Sequence, residues 1–233
     1  MKVSVTQQNL AHGLNVVSRA VAARTTLPVL SNILLATDEG RLRLSATNLE
    51  LGITCWIGAK IEEEGSFTVP ARTFIDLVNT LPNESLNLEL NTRTQSMEVH
   101  SSASSAEVKG IDAQEFPPMP ITDEENRVIL NVADFKEMIQ QVVFAASADE
   151  ARPVLMGAQI NLMDNELMMA AADGFRISVK KALLSTPVTT PISIIVPAKA
   201  LSELARVAVD GEQSVTMSVP SGRGQYVFTL KDV

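Results

Sequence analysis

The residues best suited to chemistry are three charged side chains in the second half of the chain, Glu150, Asp173 and Arg176. An enzyme could use such carboxylates to transfer protons and such an arginine to stabilise an anion. The chain has no glycine-rich phosphate loop and no nucleophile elbow, and His12 and His100 are its only histidines. An enzyme is therefore a poorly supported alternative, and we expect no catalytic residue.

Cys55 is the only cysteine, and it lies in the strand-like segment Thr54-Cys55-Trp56 without a nearby base. A thiol needs such a base, or a lowered pKa, to act as a nucleophile. A single cysteine also excludes an internal disulfide and a site built from several thiolates. We predict that Cys55 belongs to the core and that the protein holds no metal or cofactor.

The elements that would position any site follow an internal repeat. Residues from 1 onward match residues from about 127 onward at an offset of 125, so that Leu27-Pro28-Val29-Leu30 returns as Arg152-Pro153-Val154-Leu155. After a slip of two residues, Val69-Pro70-Ala71 returns as Val196-Pro197-Ala198. A register held over this length indicates two copies of one structural unit.

Each copy has the pattern of a strand, a helix, several strands, a second helix and further strands. Thr6 and Asn131 are suited to cap the first helix, and Pro70 and Pro197 mark the start of the second. Alternating segments such as Arg41–Ser45 predict antiparallel strands. The predicted fold class is α+β, with two helices per copy packed on antiparallel sheets.

A linker is predicted between the copies, where the proline-rich segment Phe116–Pro120 precedes the charged run Thr122–Asn126. We therefore expect one domain at residues 1–121 and another at residues 122–233. At the end of the chain, Leu230–Val233 matches Val108–Ile111, after which the first copy continues into its linker. A third copy is thus expected in the complete gene product, and a two-domain protein is the alternative.

The net charge of −8 means that any contact with nucleic acid must be local. The predicted helices carry six basic and four acidic side chains, so the acidic charge lies mostly on strands and loops; these helices are 7–24, 71–80, 132–147 and 198–208. If the helices share one surface, that surface could meet phosphates. Ordinary solvated helix faces would give the same pattern.

The cellular location follows from two features of the sequence. No apolar run approaches the roughly 18 residues of a membrane span, and Met1–Val5 alternates like a strand instead of forming a secretion signal. Together with the single cysteine, these features predict a cytoplasmic protein with no membrane partner.

Five segments together resemble the bacterial sliding clamp family, the beta subunit of the replicative DNA polymerase. They are Arg24–Leu30, Val69–Arg72, Phe116-Pro117, Ala172–Arg176 and Val196–Lys199. They occur in the family's order over nearly all 233 residues and correspond to its first two domains. The resemblance implies subunits of three repeated clamp domains and a head-to-tail homodimer that closes into a ring around duplex DNA. Without a third domain, this chain is not expected to close a ring.

The resemblance also implies the partners of the protein. They are double-stranded DNA, bound without sequence preference, and the replicative polymerase, the clamp loader and repair proteins, bound through short linear peptides. The ring tethers these proteins and hydrolyses nothing. A duplicated protein-binding module without a role on DNA is the alternative. The number of cationic side chains on the helix face opposite the sheets would discriminate between the two.

Two sets of residues match the family's contact positions. Arg24, Arg72 and Lys199 match positions that touch DNA, and their alternative role is surface solubility. The matched subunit-interface strand consists of Ala103, Ser104, Ser105, Ala106, Glu107 and Val108. An exposed edge strand without a partner is the alternative for this segment.

A third set matches the wall of the family's peptide-binding pocket, namely Leu155, Ala172, Gly174, Phe175, Arg176 and Ile177. Gly174 would permit a tight turn, and Leu155 and Ile177 would form an apolar floor. Ala172 replaces a hydroxyl residue common in the family, and Phe175 stands where a histidine is frequent. The alternative is a simple hairpin turn at Asp173-Gly174 beside a core leucine.

Overall fold

The chain folds into two compact units in the computed structural model, which describes residues 1–120, 127–208, 214–219 and 225–233. Unit 1 comprises Met1–Met119 with Asp232–Val233, and unit 2 comprises Pro120–Lys231. The predicted domain boundary between residues 121 and 122 lies outside the described residues. No helix in the described ranges is long and apolar enough to cross a membrane.

Unit 1 contains two helices and nine strands. They are β1 (Lys2–Thr6), α1 (Gln7–Val17), β2 (Asn32–Asp38), β3 (Arg41–Thr47), β4 (Gly52–Ile57), β5 (Lys60–Glu63), β6 (Ser66–Pro70), α2 (Ala71–Thr80), β7 (Ser85–Asn91), β8 (Ser96–His100) and β9 (Ser105–Lys109). The strands form two antiparallel sheets, in the orders β5-β1-β7-β8-β9 and β4-β3-β2-β6. Short 3-10 turns occur at Ser18–Ala20, Pro28–Ser31 and Ala113–Glu115.

Unit 2 repeats this arrangement with fewer strands among its described residues. They are β10 (Arg127–Asn131), α3 (Val132–Val142), β11 (Gly157–Met163), β12 (Glu166–Ala172), β13 (Ile177–Leu183), β14 (Ile192–Pro197), α4 (Ala198–Val207), β15 (Ser214–Ser218) and β16 (Val227–Thr229). The sheet orders are β13-β12-β11-β14 and β10-β15-β16. Short 3-10 turns lie at Val143–Ala145 and Pro153–Met156.

The two units share one topology, which confirms the predicted duplication and the α+β class. The strands β13-β12-β11-β14 of unit 2 have the same order as their counterparts β4-β3-β2-β6 in unit 1. The order β10-β15-β16 likewise corresponds to β1-β7-β8. The strand register repeats as well, because Leu44 faces Cys55 and, at the offset of 125, Met169 faces Lys180.

Side-chain caps start the first helix of each unit as predicted. The Thr6 hydroxyl accepts from the Asn9 N–H, and the Asn131 amide oxygen accepts from the Asp134 N–H. Pro70 and Pro197 immediately precede α2 and α4, neither of which has a side-chain cap. Within each unit the two helices pack against each other, and they bury apolar side chains that include Leu10, Leu14, Phe74, Phe135, Ile139 and Leu201.

The first helices are shorter than the predicted segments 7–24 and 132–147. After Val17 and Val142 the chain tightens into the 3-10 turns noted above, which end at Ala20 and Ala145. The apolar period continues beyond these points because Val21 and Ala146 are still half-buried, but their backbone is extended. Arg24 therefore lies in a loop after α1.

Candidate peptide pocket and nucleic-acid surface

The turn that joins β12 to β13 is held by one side chain, Asp173. Its carboxylate accepts hydrogen bonds from the backbone N–H groups of Phe175 at 2.9 Å and Arg176 at 3.0 Å. These bonds, with that of Phe175 the strongest cause, hold the pKa of Asp173 below its ordinary value. Gly174 lies inside the turn at φ +94°, a left-handed conformation that glycine adopts without a clash of Cβ.

Two arginines brace this turn. Arg176 donates from Nε to Asp173 Oδ2 at 2.9 Å and from Nη2 to the Phe144 carbonyl at 2.9 Å, with its guanidinium 5.6 Å from the centre of the Phe144 ring. Arg152 donates from Nε to Asp149 Oδ2 at 2.9 Å and from Nη1 to the Asp173 carbonyl at 3.1 Å. The loop before β11 is thereby fixed against the turn.

The structure brings the six predicted pocket residues to one end of the sheet. Ala172 and Ile177 face each other across β12 and β13, and Gly174, Phe175 and Arg176 form the intervening turn. Leu155 lies one 3-10 turn after Arg152, with its N–H bonded to the Arg152 carbonyl at 3.0 Å. Their use in binding a peptide remains a prediction.

This end of the sheet exposes a large apolar area. Phe175 is 95% exposed and Ile177 is 70% exposed, whereas Leu155 is half-buried. Large apolar side chains exposed within one turn and the strand that follows it are candidates for an interaction site. The pocket is therefore chemically suited to apolar anchors of a partner.

Three contributors were missed from the sequence, namely Phe144, Arg152 and Val154. Val154 is 68% exposed and Phe144 is 59% exposed. Val154 could have been included from the repeat, because it directly precedes Leu155 in the motif that aligns with Pro28-Val29-Leu30. No sequence signal indicated that Arg152 would bond to a turn 21 residues away.

The same turn occurs in unit 1 with an amide in place of the carboxylate. Asn48 Oδ1 accepts from the N–H groups of Glu50 at 3.0 Å and Leu51 at 2.8 Å. The residue that corresponds to Gly174 is Leu49, which is also left-handed at φ +75°. The two units therefore build one backbone frame from different side chains.

The residues of the enzyme alternative lack the features of an active site. The Asp173 carboxylate is occupied by the turn N–H groups and Arg176. Glu150 lies in an exposed loop. Cys55 is buried as predicted, and burial, followed by the nearby Asp232 carboxylate, raises its pKa to about 11, so its thiol stays protonated at neutral pH. Among the described residues, no cluster of three or more His, Cys, Asp or Glu is arranged to hold a metal ion.

A separate cleft of about 440 Å³ lies between α3 and β13. Four of its charged side chains form two ion pairs, since Lys180 pairs with Glu137 at 3.1 Å and Lys181 pairs with Glu166 at 2.8 Å. The pair with Lys180 lowers the pKa of Glu137. Asp134 also lines the cleft, which is therefore slightly acidic and is distinct from the predicted peptide pocket.

The three predicted DNA contacts are exposed cations. Arg24, Arg72 and Lys199 make no ion pair or hydrogen bond within the described part of the chain. By contrast, Arg206 pairs with Glu203 at 2.7 Å, and Lys136 donates to the Ala208 carbonyl at 2.9 Å. The predicted contacts are thus the helix-associated cations that are available to an external phosphate.

The three predicted DNA contacts lie at or beyond the ends of the helices. Arg72 and Lys199 occupy the second position of α2 and α4, and Arg24 follows α1 in the chain. The exposed face of α3 carries Asp134 and Glu137. On the exposed face of α3 this pattern matches the alternative of an ordinary solvated helix face.

The predicted subunit-interface strand lies at one edge of the five-stranded sheet. β9 begins at Ser105, so Ala103 and Ser104 precede it in a turn closed by a bond from the Ser101 N–H to the Ser104 carbonyl. Val108 is 7% exposed and contributes to the core, whereas Glu107 points outward and accepts from Ser96 at 2.6 Å. An edge contact could therefore use the β9 backbone and Glu107, but not the Val108 side chain.

The duplicated fold, with two helices on antiparallel sheets in each unit, is that of the DNA clamps. The crystal structure of the DNA polymerase sliding clamp from Bacillus subtilis matches with a TM-score of 0.94 and 27% identity, over 100% of this chain and 62% of that one. The DNA polymerase III subunit beta from Pseudomonas aeruginosa matches with a TM-score of 0.88 and 26% identity, over 100% of this chain and 65% of that one.

The sequence comparisons narrow this class to one family. The family models for the DNA polymerase III beta subunit match residues 1–120 with the N-terminal domain and residues 129–233 with the central domain. The chain is 35% identical to the beta sliding clamp of Synechococcus elongatus, of which it covers 62%, and 28% identical to that of Bacillus subtilis, of which it covers 63%. The chain belongs to the DNA polymerase III beta subunit family and spans less than two thirds of these relatives.

Proposed function

We propose that this chain is the DNA-facing and partner-binding portion of a sliding clamp. In the complete protein, a homodimeric ring would encircle duplex DNA, tether the replicative polymerase, and catalyse no reaction of its own. The observation that carries this proposal is that both copies match consecutive domains of one clamp subunit across the whole chain. The proposed domains are residues 1–121 and 122–233, and the proposed location is the cytoplasm.

Arg24, Arg72 and Lys199 are the proposed DNA contacts. Arg72 and Lys199 occupy equivalent positions in the first turns of α2 and α4, which lack side-chain caps. A cation at a helix N-terminus is disfavoured by the helix dipole, by about 0.3–1 kcal/mol. Its recurrence in both units supports a role on phosphates, which the free N–H groups of the first turn also favour.

The apolar end of the second sheet is the proposed pocket for short peptides of the polymerase, the clamp loader and repair proteins. Its residues are Leu155, Ala172, Gly174, Phe175, Arg176 and Ile177, supplemented by Val154. The bonds of Arg152 and Arg176 support this role because they hold the frame rigid before a ligand arrives, which reduces the entropy lost on binding.

The open edge of β9, with Ala103, Ser104, Ser105, Ala106 and Glu107 and the Val108 backbone, is the proposed contact with the neighbouring subunit. An edge strand presents unpaired N–H and C=O groups that a second strand can use. The relatives are longer than the part matched here, and ring closure is proposed for the complete protein.

The experiment is a titration of a labelled peptide from the replicative polymerase of the same organism, with fluorescence anisotropy as the readout. We expect Leu155→Asp to weaken binding by at least about tenfold, because a carboxylate in an apolar floor costs more than 1.4 kcal/mol. Leu183→Asp is the matched control, since Leu183 is 77% exposed at the far end of β13. Equal binding by the two variants and the parent would remove the pocket from the proposal.

A further inference from the structure

The place in unit 1 that corresponds to the peptide pocket is filled by the chain itself. Val29 and Leu30 are 6% and 3% exposed, and they form a buried cluster with Phe116 from the segment that leaves unit 1. Their counterparts in unit 2 are Val154, which is 68% exposed, and Leu155, which is half-buried. The same apolar pair is therefore covered in one unit and open in the other.

The covering segment is Ile111–Met119, and it docks in three steps. Ile111 forms an antiparallel bridge with Thr68, with N–H to carbonyl bonds of 3.1 and 3.2 Å. A 3-10 turn at Ala113–Glu115 then directs Phe116 onto Val29 and Leu30. Finally, Met119 lies over Gly52, so closely that a Cβ atom on Gly52 would come within 2.7 Å of the Met119 methyl carbon.

The backbone hydrogen bonds of the loops beneath this segment recur in unit 2. The Ala22 N–H donates to the Leu30 carbonyl at 3.1 Å, and its counterpart Ser147 donates to the Leu155 carbonyl at 2.8 Å. The Asn48 and Asp173 side chains each accept from the same two turn N–H groups, although the unit 1 turn is also bonded by the Thr47 hydroxyl, which Ala172 lacks. A ligand of unit 2 thus meets the geometry that Phe116 meets in unit 1.

One difference beside the Val-Leu pair is that Ile177 replaces Gly52. In unit 1 the bare glycine lets Met119 approach the backbone. In unit 2 the corresponding position carries the Ile177 side chain, which is 70% exposed. A second anchor would therefore pack against the Ile177 side chain and stand further from the sheet.

We propose that Phe116–Met119 is an internal counterpart of the pocket's ligand, and that the pocket accepts an extended Phe-Pro-Pro-Met type of segment. The aromatic anchor packs on Val154 and Leu155, and an apolar residue three positions later packs on Ile177. Intervening prolines are compatible because they preset an extended chain, which loses little entropy on binding. The inference rests on the proposed peptide-binding function and specifies the chemistry of the ligand.

The test uses a labelled peptide with the sequence of Gln114–Pro120, titrated against the 233-residue chain by fluorescence anisotropy. We expect saturable binding that a peptide with alanine at both anchors loses by at least about tenfold, because each anchor contributes more than one buried methylene. Val154→Asp and Ile177→Asp should each weaken binding to a similar extent. Both side chains are exposed, so neither change endangers folding, and Leu183→Asp is again the control.

Competition with the polymerase-derived peptide separates this inference from the proposed function. Mutual displacement supports both. Binding of the polymerase peptide without displacement by the Gln114–Pro120 peptide overturns the inference and leaves the proposed function standing. If neither peptide binds, the inference and the proposed function are both overturned. They are also overturned if the chain forms a dimer through this face that excludes the peptides.

Discussion

The turns at Asn48–Leu51 and Asp173–Arg176 have the same backbone hydrogen bonds but opposite surroundings. In unit 1 the apolar residues beside the turn are buried under Phe116, whereas in unit 2 they face solvent next to Phe175. The difference shows that one backbone frame can be covered by its own chain in one copy of a repeat and left more exposed in the other. The turn itself need not change its backbone.

The side chains around the two turns differ between the covered turn of unit 1 and the exposed turn of unit 2. Leu27 and Leu51 of unit 1 are replaced by Arg152 and Arg176, whose hydrogen bonds brace the turn of unit 2. In unit 1 the Thr47 hydroxyl instead bonds the turn, accepting from the Leu49 N–H and donating to the Leu51 carbonyl. Its counterpart Ala172 has no hydroxyl, so the turn of unit 2 is braced by the two arginines.

The largest expected difference between the covered turn of unit 1 and the exposed turn of unit 2 is in how much their aromatic side chains contribute to the free energy of unfolding. Phe116→Ala should lower the free energy of unfolding of unit 1 by about 3 kcal/mol, because a buried aromatic side chain is lost and a cavity remains. Phe175→Ala should change stability by less than about 0.5 kcal/mol, because Phe175 is 95% exposed. Urea unfolding of the two variants measures both values. Similar losses of unfolding free energy in the two variants would mean that Phe175 is covered in solution. The contrast between a covered turn and an exposed turn would then be wrong.

Arg72 and Lys199 occupy equivalent positions in the two units, so their removal is expected to have equal effects on DNA binding. Arg72→Ala and Lys199→Ala should each reduce the slope of log K for duplex DNA against log salt by about 0.9, since each removes one phosphate contact. Arg206→Ala is the control and should change the slope less, because Arg206 is paired with Glu203. DNA binding over a series of salt concentrations provides the slopes. An unchanged slope in either first variant would exclude that side chain as a phosphate contact.

The smallest effect concerns pH. Because the folded pKa of Asp173 is lowered from its ordinary 3.8, its stabilisation of the turn is present above that value and is lost as the pH falls through the lower folded pKa. The Arg176 amide proton should therefore show an acid transition below pH 3.8 in NMR spectra. Asp173→Asn, which copies Asn48 of unit 1, should abolish the transition and preserve the turn. A transition that survives this substitution would assign it to another group.

The repeat made much of the fold predictable. Apolar spacing and capping residues such as Thr6 and Asn131 are local signals, and the structure confirms them. The ends of the first helices were not predictable, because a 3-10 turn buries Ala20 and Ala145 with the same apolar pattern as a continued helix.

The pocket was only partly predictable for a physical reason. The exposure of Val154 depends on whether a distant segment covers it, and its sequence motif is the same as that of buried Val29. The role of Arg152 depends on a hydrogen bond to the carbonyl of Asp173, which any residue at position 173 would supply. Neither contact leaves a local pattern in the sequence.

The central claim, that the complete protein is a ring around DNA, is tested most directly by its retention on DNA of different topology. The complete protein, loaded on nicked circular DNA, should remain bound through gel filtration and should be released when the DNA is linearised. Loss on linearisation requires topological linkage, since a distant cut would not change the proposed local contacts at Arg24, Arg72 and Lys199. Equal retention on circular and linear DNA would contradict the account.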